Sequence, residues 1–363
     1  MEDLLTALLS IGLAPPVFEI PFFTDEPKYP CCLYPTPSSG PYTEGQPYGM
    51  CLALDETEAR AKGLAEFYER ICLFNVRPTV QSATWAPDSG WVDPASFTLA
   101  VDSDQARILR ESPYSWLDAT EINTGRKSKI PTQIVTPGFG GEEQRILPAV
   151  GSSGASLGRS GDSGRVERGL FEVLERYSSG VLPFDERVRQ RVVALPASLQ
   201  EIENTLRRYR LEPYVFWREG RYGAPWVLVA LTDHSGVGPA LSFATRCAPT
   251  FSEAIHAALL ESLERRRPAR MENAGREPDS DAPRVYPWET LETLEEIEPL
   301  LTSAATASFD QLPQTPRTAE QLLESFAADG LEVFSVDTTL PEVAAASFEA
   351  SKIVIPGLGP LPA

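Results

Sequence analysis

The sequence predicts a mixed α/β (α+β) fold, and three observations carry that prediction. Apolar residues recur at helical spacing in several segments. Strand-like runs bounded by Gly, Pro and Asp lie between them, and no clean linker divides the 363 residues. Helices and strands interleaved along one chain call for sheets and helices packed on each other, which an all-helical bundle does not provide. The expected organisation is an irregular N-terminal segment over 1–47, belonging to the same unit, and one domain over 48–363.

Residues 1–48 are rich in Pro, Tyr and Ser, with one short strand predicted at "PVFEIPFF". A helix is predicted over 56–74, where Leu64, Phe67, Tyr68, Ile71 and Cys72 recur at i, i+3, i+4, i+7 and i+8. "ILPAVGSSGASLGRSGDSG" reads as a short strand entering a Gly/Ser loop that opens onto a second helix over 164–178. Strands follow at "EPYVFWRE", "PWVLVALTD" and "ALSFATRC". A third helix over 252–266 begins at "TFSE", which suits a capping box. "RPARMENAGREPDSDAPRVYP" reads as an exposed loop. A helix at "TAEQLLESFAADG", a strand at "LEVFSVD" and the tail "SKIVIPGLGPLPA" complete the chain.

Composition removes several function classes. The formal net charge is −19, so a nucleic-acid backbone is excluded as a partner. The five cysteines include no C-x-x-C pair, and a reduced compartment is the default. The opening "MEDLLTALLSIGLAPP" lacks a basic n-region, and no run approaches the ~18 apolar residues of a membrane span. The expectation is a cytoplasmic protein with no membrane partner. With only His234 and His256 there is no H-E-x-x-H, and neither a Walker loop nor G-x-G-x-x-G occurs. Cys31 and Cys32, Trp217 and Trp226, and His256 all take structural readings. Ser152 and Ser153 have no histidine base placed by any motif and are read as loop residues.

What stands out is E-x-x-E-R, present three times: Glu66, Glu69 and Arg70; Glu172, Glu175 and Arg176; Glu261, Glu264 and Arg265. The plain reading is a solvated helix face. Each copy holds a Glu–Arg pair at i, i+4, which supports an exposed helix by ~0.2–0.5 kcal/mol. On the second helix Val166, Leu170, Val173, Leu174 and Tyr177 form the apolar stripe, and Glu172 and Glu175 fall opposite it. The alternative starts from repulsion. Carboxylates at i and i+3 oppose each other, and a divalent cation reverses the sign of that interaction. Magnesium suits such a site because it takes one or two carboxylates together with substrate phosphates, while arginines neutralise the remaining charge.

The flanks of the three copies resemble a known family. "SSGASLGRSGDSGRVERGLFEVLERY" resembles the YcaO superfamily signature S-N-G-x-A-x-G-N-T, then E-A, then G-L-x-E-x-x-E-R. "ARAKGLAEFYER" is similar to that family's A-x-x-S-A-x-x-E-x-x-E-R, and "AALLESLERRR" to its A-L-x-E-x-x-Q-x-R. "VFSVDTTLPEV" and "KIVIPGLGP" resemble its D-x-T-x-P and V-x-V-P-G-L ending. The blocks lie in the family's order from Tyr48 to Ala363.

The resemblance implies a YcaO-type fold with several sheets and helices around a nucleotide cradle, and ATP and Mg2+ as cofactors. It implies activation of a peptide-backbone amide, giving an azoline, an amidine or, with sulfide, a thioamide. It places Glu66, Glu69, Glu172 and Glu175 at metal, and Arg70, Arg176 and Arg266 at phosphate. The loop from Ser152 to Ser160, with Ser153 and Ser156, lines the nucleotide, and the Ala363 carboxylate stands where azoline-forming members place a base. It also implies a peptide or protein substrate, a separate leader-peptide-binding or TfuA-like partner, and a homodimer. Departures fall within the same blocks. Lys62 replaces a serine one turn before Glu66, Arg159 and Ser160 replace Asn-Thr, the next acid is absent or shifted to Asp162, and Glu264 replaces a glutamine. An active enzyme with a re-poised ATP site and a catalytically silent YcaO-like scaffold both fit these departures.

Overall fold

The computed structural model describes residues 15–36, 48–98, 102–137, 145–148, 150–178, 190–235, 238–274 and 291–358. The expected mixed α/β architecture is the one found, with three sheets among these residues. The first sheet joins β1 (Phe18–Glu19), β2 (Cys31–Tyr34) and β3 (Gly49–Leu52) in antiparallel order. Two of its strands thus come from the segment whose composition reads as irregular. Its buried side chains explain why. Cys31 and Cys32 carry neighbouring strand positions into opposite cores, one against the third acidic helix and one against the first.

The first acidic helix (Glu56–Asn75) is capped by Asp55, whose side chain accepts from Glu58 N. It leads to β4 (Val80–Thr84), β5 (Pro113–Glu121) and β6 (Lys127–Pro131). With β7 (Ala155–Arg159) and, at the end of the chain, β13 (Phe334–Asp337) and β14 (Phe348–Val354), these build a six-stranded sheet. Its order is β4-β5-β13-β14-β7, with β6 on β5. β7 lies inside the stretch expected to be loop. Its Ala155, Ser156 and Leu157 are buried and pair with β14, so partnership with a buried strand overrides the small, polar composition.

Between β7 and β13 the chain forms the second acidic helix (Gly164–Ser178), then β8 (Gln190–Val193), β9 (Leu211–Glu219), β10 (Pro225–Asp233) and β11 (Leu241–Cys247). The third acidic helix (Phe251–Ala274) and β12 (Ala305–Ser308) follow. The five-stranded sheet runs β11-β10-β9-β8-β12. All nine residues of β10 are buried, because both of its faces are covered. Trp226, Leu228 and Ala230 face Leu170, Val173 and Leu174 of the second acidic helix. Val227, Val229 and Leu231 face Phe251, Ile255 and Leu259 of the third. Trp226 is core as expected, and Trp217 sits edge-on against Phe251 with ring centroids 5.3 Å apart.

The third helix runs past its expected end at Arg266 and through Pro268. An interior proline costs a helix ~3 kcal/mol. Here the end of the helix carries Arg266 and Arg267 into buried ion pairs and brings the buried Arg270 to the exposed Asp25. Arg266 meets Asp233 and Glu26, Arg267 meets Glu26 at 2.8 Å, and Arg270 meets Asp25 at 3.0 Å. No helix among the described residues is long and apolar enough to cross a membrane.

β3 lies directly on the first acidic helix. A Cβ added at Gly49 would stand 2.1 Å from the Gly63 carbonyl oxygen and 2.4 Å from the Phe67 nitrogen, both rigid backbone atoms. Gly49→Ala is therefore expected to destabilise the protein by ~3 kcal/mol. Urea unfolding checks this as a lowered midpoint with an unchanged slope.

Candidate functional site

The three sheets bring the acidic helices together. The second packs on β7, β14 and β11, the first on β3 and β7, and the third on β11 and β3. A cleft of about 300 Å³ opens between the first two helices and the end of β11, with Glu69, Ser156, Glu172, Glu175 and Arg246 in its wall. The solvated-face reading of the second helix therefore fails. Glu175 is 1 % exposed, because the polar side of this helix is covered by β11 and its neighbours.

Crowding shifts these carboxyls. Burial raises Glu69 well above the ordinary carboxylate range, and Glu172 and Glu66 push it further. Burial, then Glu175, pushes Glu172 up to about 7. Glu175 and Glu66 are also raised by burial, although Arg246 and Arg70 respectively oppose the shift. Glu261 behaves differently: burial pushes it up, yet Arg246 and Arg265 hold it below its usual value. Carboxyls that cannot all ionise together suit a cation among them. Among the described residues no three His, Cys, Asp or Glu side chains surround one point as a metal cage. A magnesium ion that keeps waters and phosphate oxygens needs only one or two carboxylates. Among the described residues the Arg176 Nε is buried with no hydrogen-bond partner, which suits an anionic ligand on this helix.

With the three motif helices converging in this way, the whole-chain comparison is decisive. The sequence matches, over residues 53–359, the family described as the ATP- and Mg2+-binding YcaO cyclodehydratases. The chain belongs to the YcaO family. ATP and magnesium, expected from the sequence, are this family's ligands. Solved structures share the fold. The YcaO from Methanopyrus kandleri bound with AMPPCP and Mg2+ is 20% identical, with a TM-score of 0.66 over 98% of this chain and 90% of that one. A heterocyclase in complex with substrate and cofactor is 13% identical, with a TM-score of 0.72, and the chain spans 98% of itself but 52% of that protein. A chain of the E. coli microcin synthetase McbBCD complex is 14% identical, with a TM-score of 0.64 over 94% and 87% of the two chains. No curated protein sequence matches the chain.

Several residues named from the YcaO signature meet around the cleft. Glu66 accepts from Arg70 at 2.6 Å and, through its other oxygen, from Met50 N at 2.8 Å. Arg70 also donates to the Tyr48 carbonyl at 2.8 Å. Glu264 accepts from Leu52 N at 2.7 Å, and burial pushes its carboxyl up to about 8. Ala53 N bonds back to Pro30 O across the sheet, so the Met50 and Leu52 amides point the other way, to the outer edge of β3. Glu66 and Glu264 thus cap that edge. Ser153 is buried beside Gly154, whose amide donates to Glu172 at 3.1 Å.

Others stand elsewhere. Lys62, one turn before Glu66, turns outward and pairs with Glu58. Ser156 is in the cleft wall, but its hydroxyl is spent on Arg165 O. Arg159 and Ser160 lie exposed at the far end of β7, with Arg159 over the Phe348 ring. Asp162 holds Arg168 and the amide of Gly164 at the start of the second helix. Arg266, expected at phosphate, is buried in its ion pairs with Asp233 and Glu26. Ala363 falls outside the described residues.

Two further charged residues were not singled out from the sequence. Arg246 bridges Glu175 and Glu261 from β11. Lys352, fully buried on β14, donates to Gly151 O at 2.8 Å and Val135 O at 2.9 Å. Burial lowers its ammonium to about 7, against the pull of Glu172 and Glu69. Lys352 holds Gly151, Ile353 N holds Gly154 O at 2.8 Å, and Gly154 N holds Glu172, so β14 positions a site carboxylate through one turn. The available signal was a lone cation inside each strand-like run, "ALSFATRC" and "SKIVI".

A carboxyl raised on folding contributes stability below its unfolded value, and that contribution is lost as pH rises through its folded value. For Glu172 the window runs from the ordinary 4.5 to about 7. Lys352, lowered to about 7, acts with the opposite sign, but only above that point. The melting temperature of the ligand-free protein should therefore fall as pH rises from about 5.5 to about 7. Glu172→Gln should flatten the slope and raise the pH 7 value by a few degrees, as read by calorimetry.

Proposed function

We propose that this YcaO chain is an ATP- and magnesium-dependent enzyme that activates a peptide-backbone amide, closing azoline rings at Cys, Ser or Thr of a precursor peptide. The observation that carries the reading is the meeting at one cleft of Glu69 and Glu172, half-buried and from two different E-x-x-E-R helices. Magnesium-bound ATP would supply the phosphoryl group that turns the amide oxygen into a leaving group. Glu69 and Glu172 would hold the metal, while Glu66 and Glu175 beside them are taken by Arg70 and Arg246. Arg70 and Arg176 would stabilise phosphate charge, and the Ser153–Gly154 turn would fix Glu172. This division suits phosphoryl transfer, where positioning and charge stabilisation do most of the work. The YcaO solved with AMPPCP and Mg2+ and the heterocyclase solved with substrate and cofactor support the same reading.

Ring closure is preferred because heterocyclases are among the structural neighbours. Thioamidation would use the same activated amide with sulfide from a TfuA-like partner. Mass spectrometry of the product separates loss of water from exchange of oxygen for sulfur. A leader-binding partner is expected, as in a multi-chain synthetase. The silent-scaffold reading is favoured by one observation, the tying up of Arg266 in the core.

Calorimetric titration with ATP and Mg2+, at low and high salt, decides between them. Binding is expected, and Glu172→Ala should weaken it at least ~10-fold. Absence of binding by the folded protein at both salt levels favours the scaffold. Unchanged affinity in Glu172→Ala removes the metal-face assignment.

A further inference from the structure

We infer that Arg246 is a built-in counter-cation, which neutralises Glu175 and Glu261 and confines the chain to one divalent cation, held on the Glu69–Glu172 side of the cleft. The inference rests on the reading of this cleft as a magnesium–nucleotide site. Arg246 reaches across from β11 to two of the acidic helices. Its Nε lies 2.7 Å from Glu261 Oε2, and its Nη1 lies 3.3 Å from Glu175 Oε2. The Glu261 contact is an ion pair without a hydrogen bond, and the other oxygens of these carboxylates are taken by further groups. Glu261 Oε1 takes Arg265 at 2.6 Å, and Glu175 Oε1 takes the Thr245 hydroxyl at 3.4 Å.

Charge divides the cluster. Glu175, Glu261, Arg246 and Arg265 close on one another and cancel, as do Glu66 and Arg70. Arg176 approaches Glu175 at 3.9 Å, and Lys352 is held by backbone carbonyls behind Glu172. Glu69 and Glu172 remain. Among the described residues Glu69 accepts no hydrogen bond, and Glu172 accepts one, from Gly154 N. Two carboxylates with no ion pair of their own among the described residues match one divalent ion, whose remaining positions go to water and phosphate. The tethered guanidinium cannot diffuse away or be chelated. It offers donors in a fixed fork where a second ion would need open coordination positions. Removing it would expose Glu175 and Glu261 as a second pair.

Mn2+, added without nucleotide as a paramagnetic stand-in for Mg2+, counts the sites by loss of the free-ion resonance signal. The wild-type chain should bind one ion and Arg246→Ala two. Glu175→Gln should keep one ion within about threefold of the wild-type affinity, whereas Glu172→Gln should lose at least ~10-fold. One ion in both wild type and folded Arg246→Ala overturns the inference and leaves the site reading intact. So do two ions in wild type with one lost in Glu175→Gln. No ion in wild type overturns the site reading itself. Should Arg246→Ala fail to fold, Glu175→Gln decides alone: a loss as large as that of Glu172→Gln shows that Glu175 is a ligand and Arg246 is not its replacement.

Discussion

Mutual repulsion between glutamates on converging helices is the constraint around which this protein is arranged. Three helices, each with carboxyls a turn apart, are pressed together by apolar surfaces that face away from the conflict. Leu170, Val173 and Leu174 lie on the five-stranded sheet, Ile255 and Leu259 lie on its opposite face, and Leu64, Phe67 and Tyr68 lie beneath β14. Burying a leucine or phenylalanine side chain contributes ~1.5–3 kcal/mol, so a handful on each helix outweighs the crowding of a few acids. The acids respond by holding protons or recruiting cations. A site under such tension is ready for a metal because the ligand-free state is the less comfortable one.

Packing of the site is also tied to the ends of the chain. Glu26, between β1 and β2, is buried among Arg266, Arg267 and Arg270, which follow the carboxyls of the third helix. Removing one member of such a network leaves its partners buried and unpaired, at a cost of ~3–5 kcal/mol. β14 performs the matching task from the C-terminal side, with Lys352 and Ile353 gripping the turn before the second helix.

Much of this was legible in the residues. The 3.6-residue periodicity of Leu64, Phe67, Tyr68 and Ile71 located the first helix, and the second acidic helix has the predicted span. The motif blocks pointed to the convergence that the fold displays. What local pattern could not carry was partnership across the chain. β7 reads as a Gly/Ser loop until β14 is beside it. The third helix reads as ending at Arg266 until Glu26 and Asp25 are supplied from more than two hundred residues away. Arg246 and Lys352 escaped for the same reason, since a single cation in a strand has no meaning until its cross-fold carboxylates and carbonyls are known. Arg266 shows the converse, because a matching motif position acquired a different set of neighbours.

The outer edge of β3 gives Glu66 two occupations at once. One oxygen serves the strand and the other serves Arg70. Genetic evidence at this position will therefore be pleiotropic. A substitution that silences the protein removes a strand fastener together with a charge beside the cleft, and loss of activity there indicts the architecture as readily as the chemistry. Glu69, a turn further along the same helix and free of any such second employment among the described residues, is the cleaner witness.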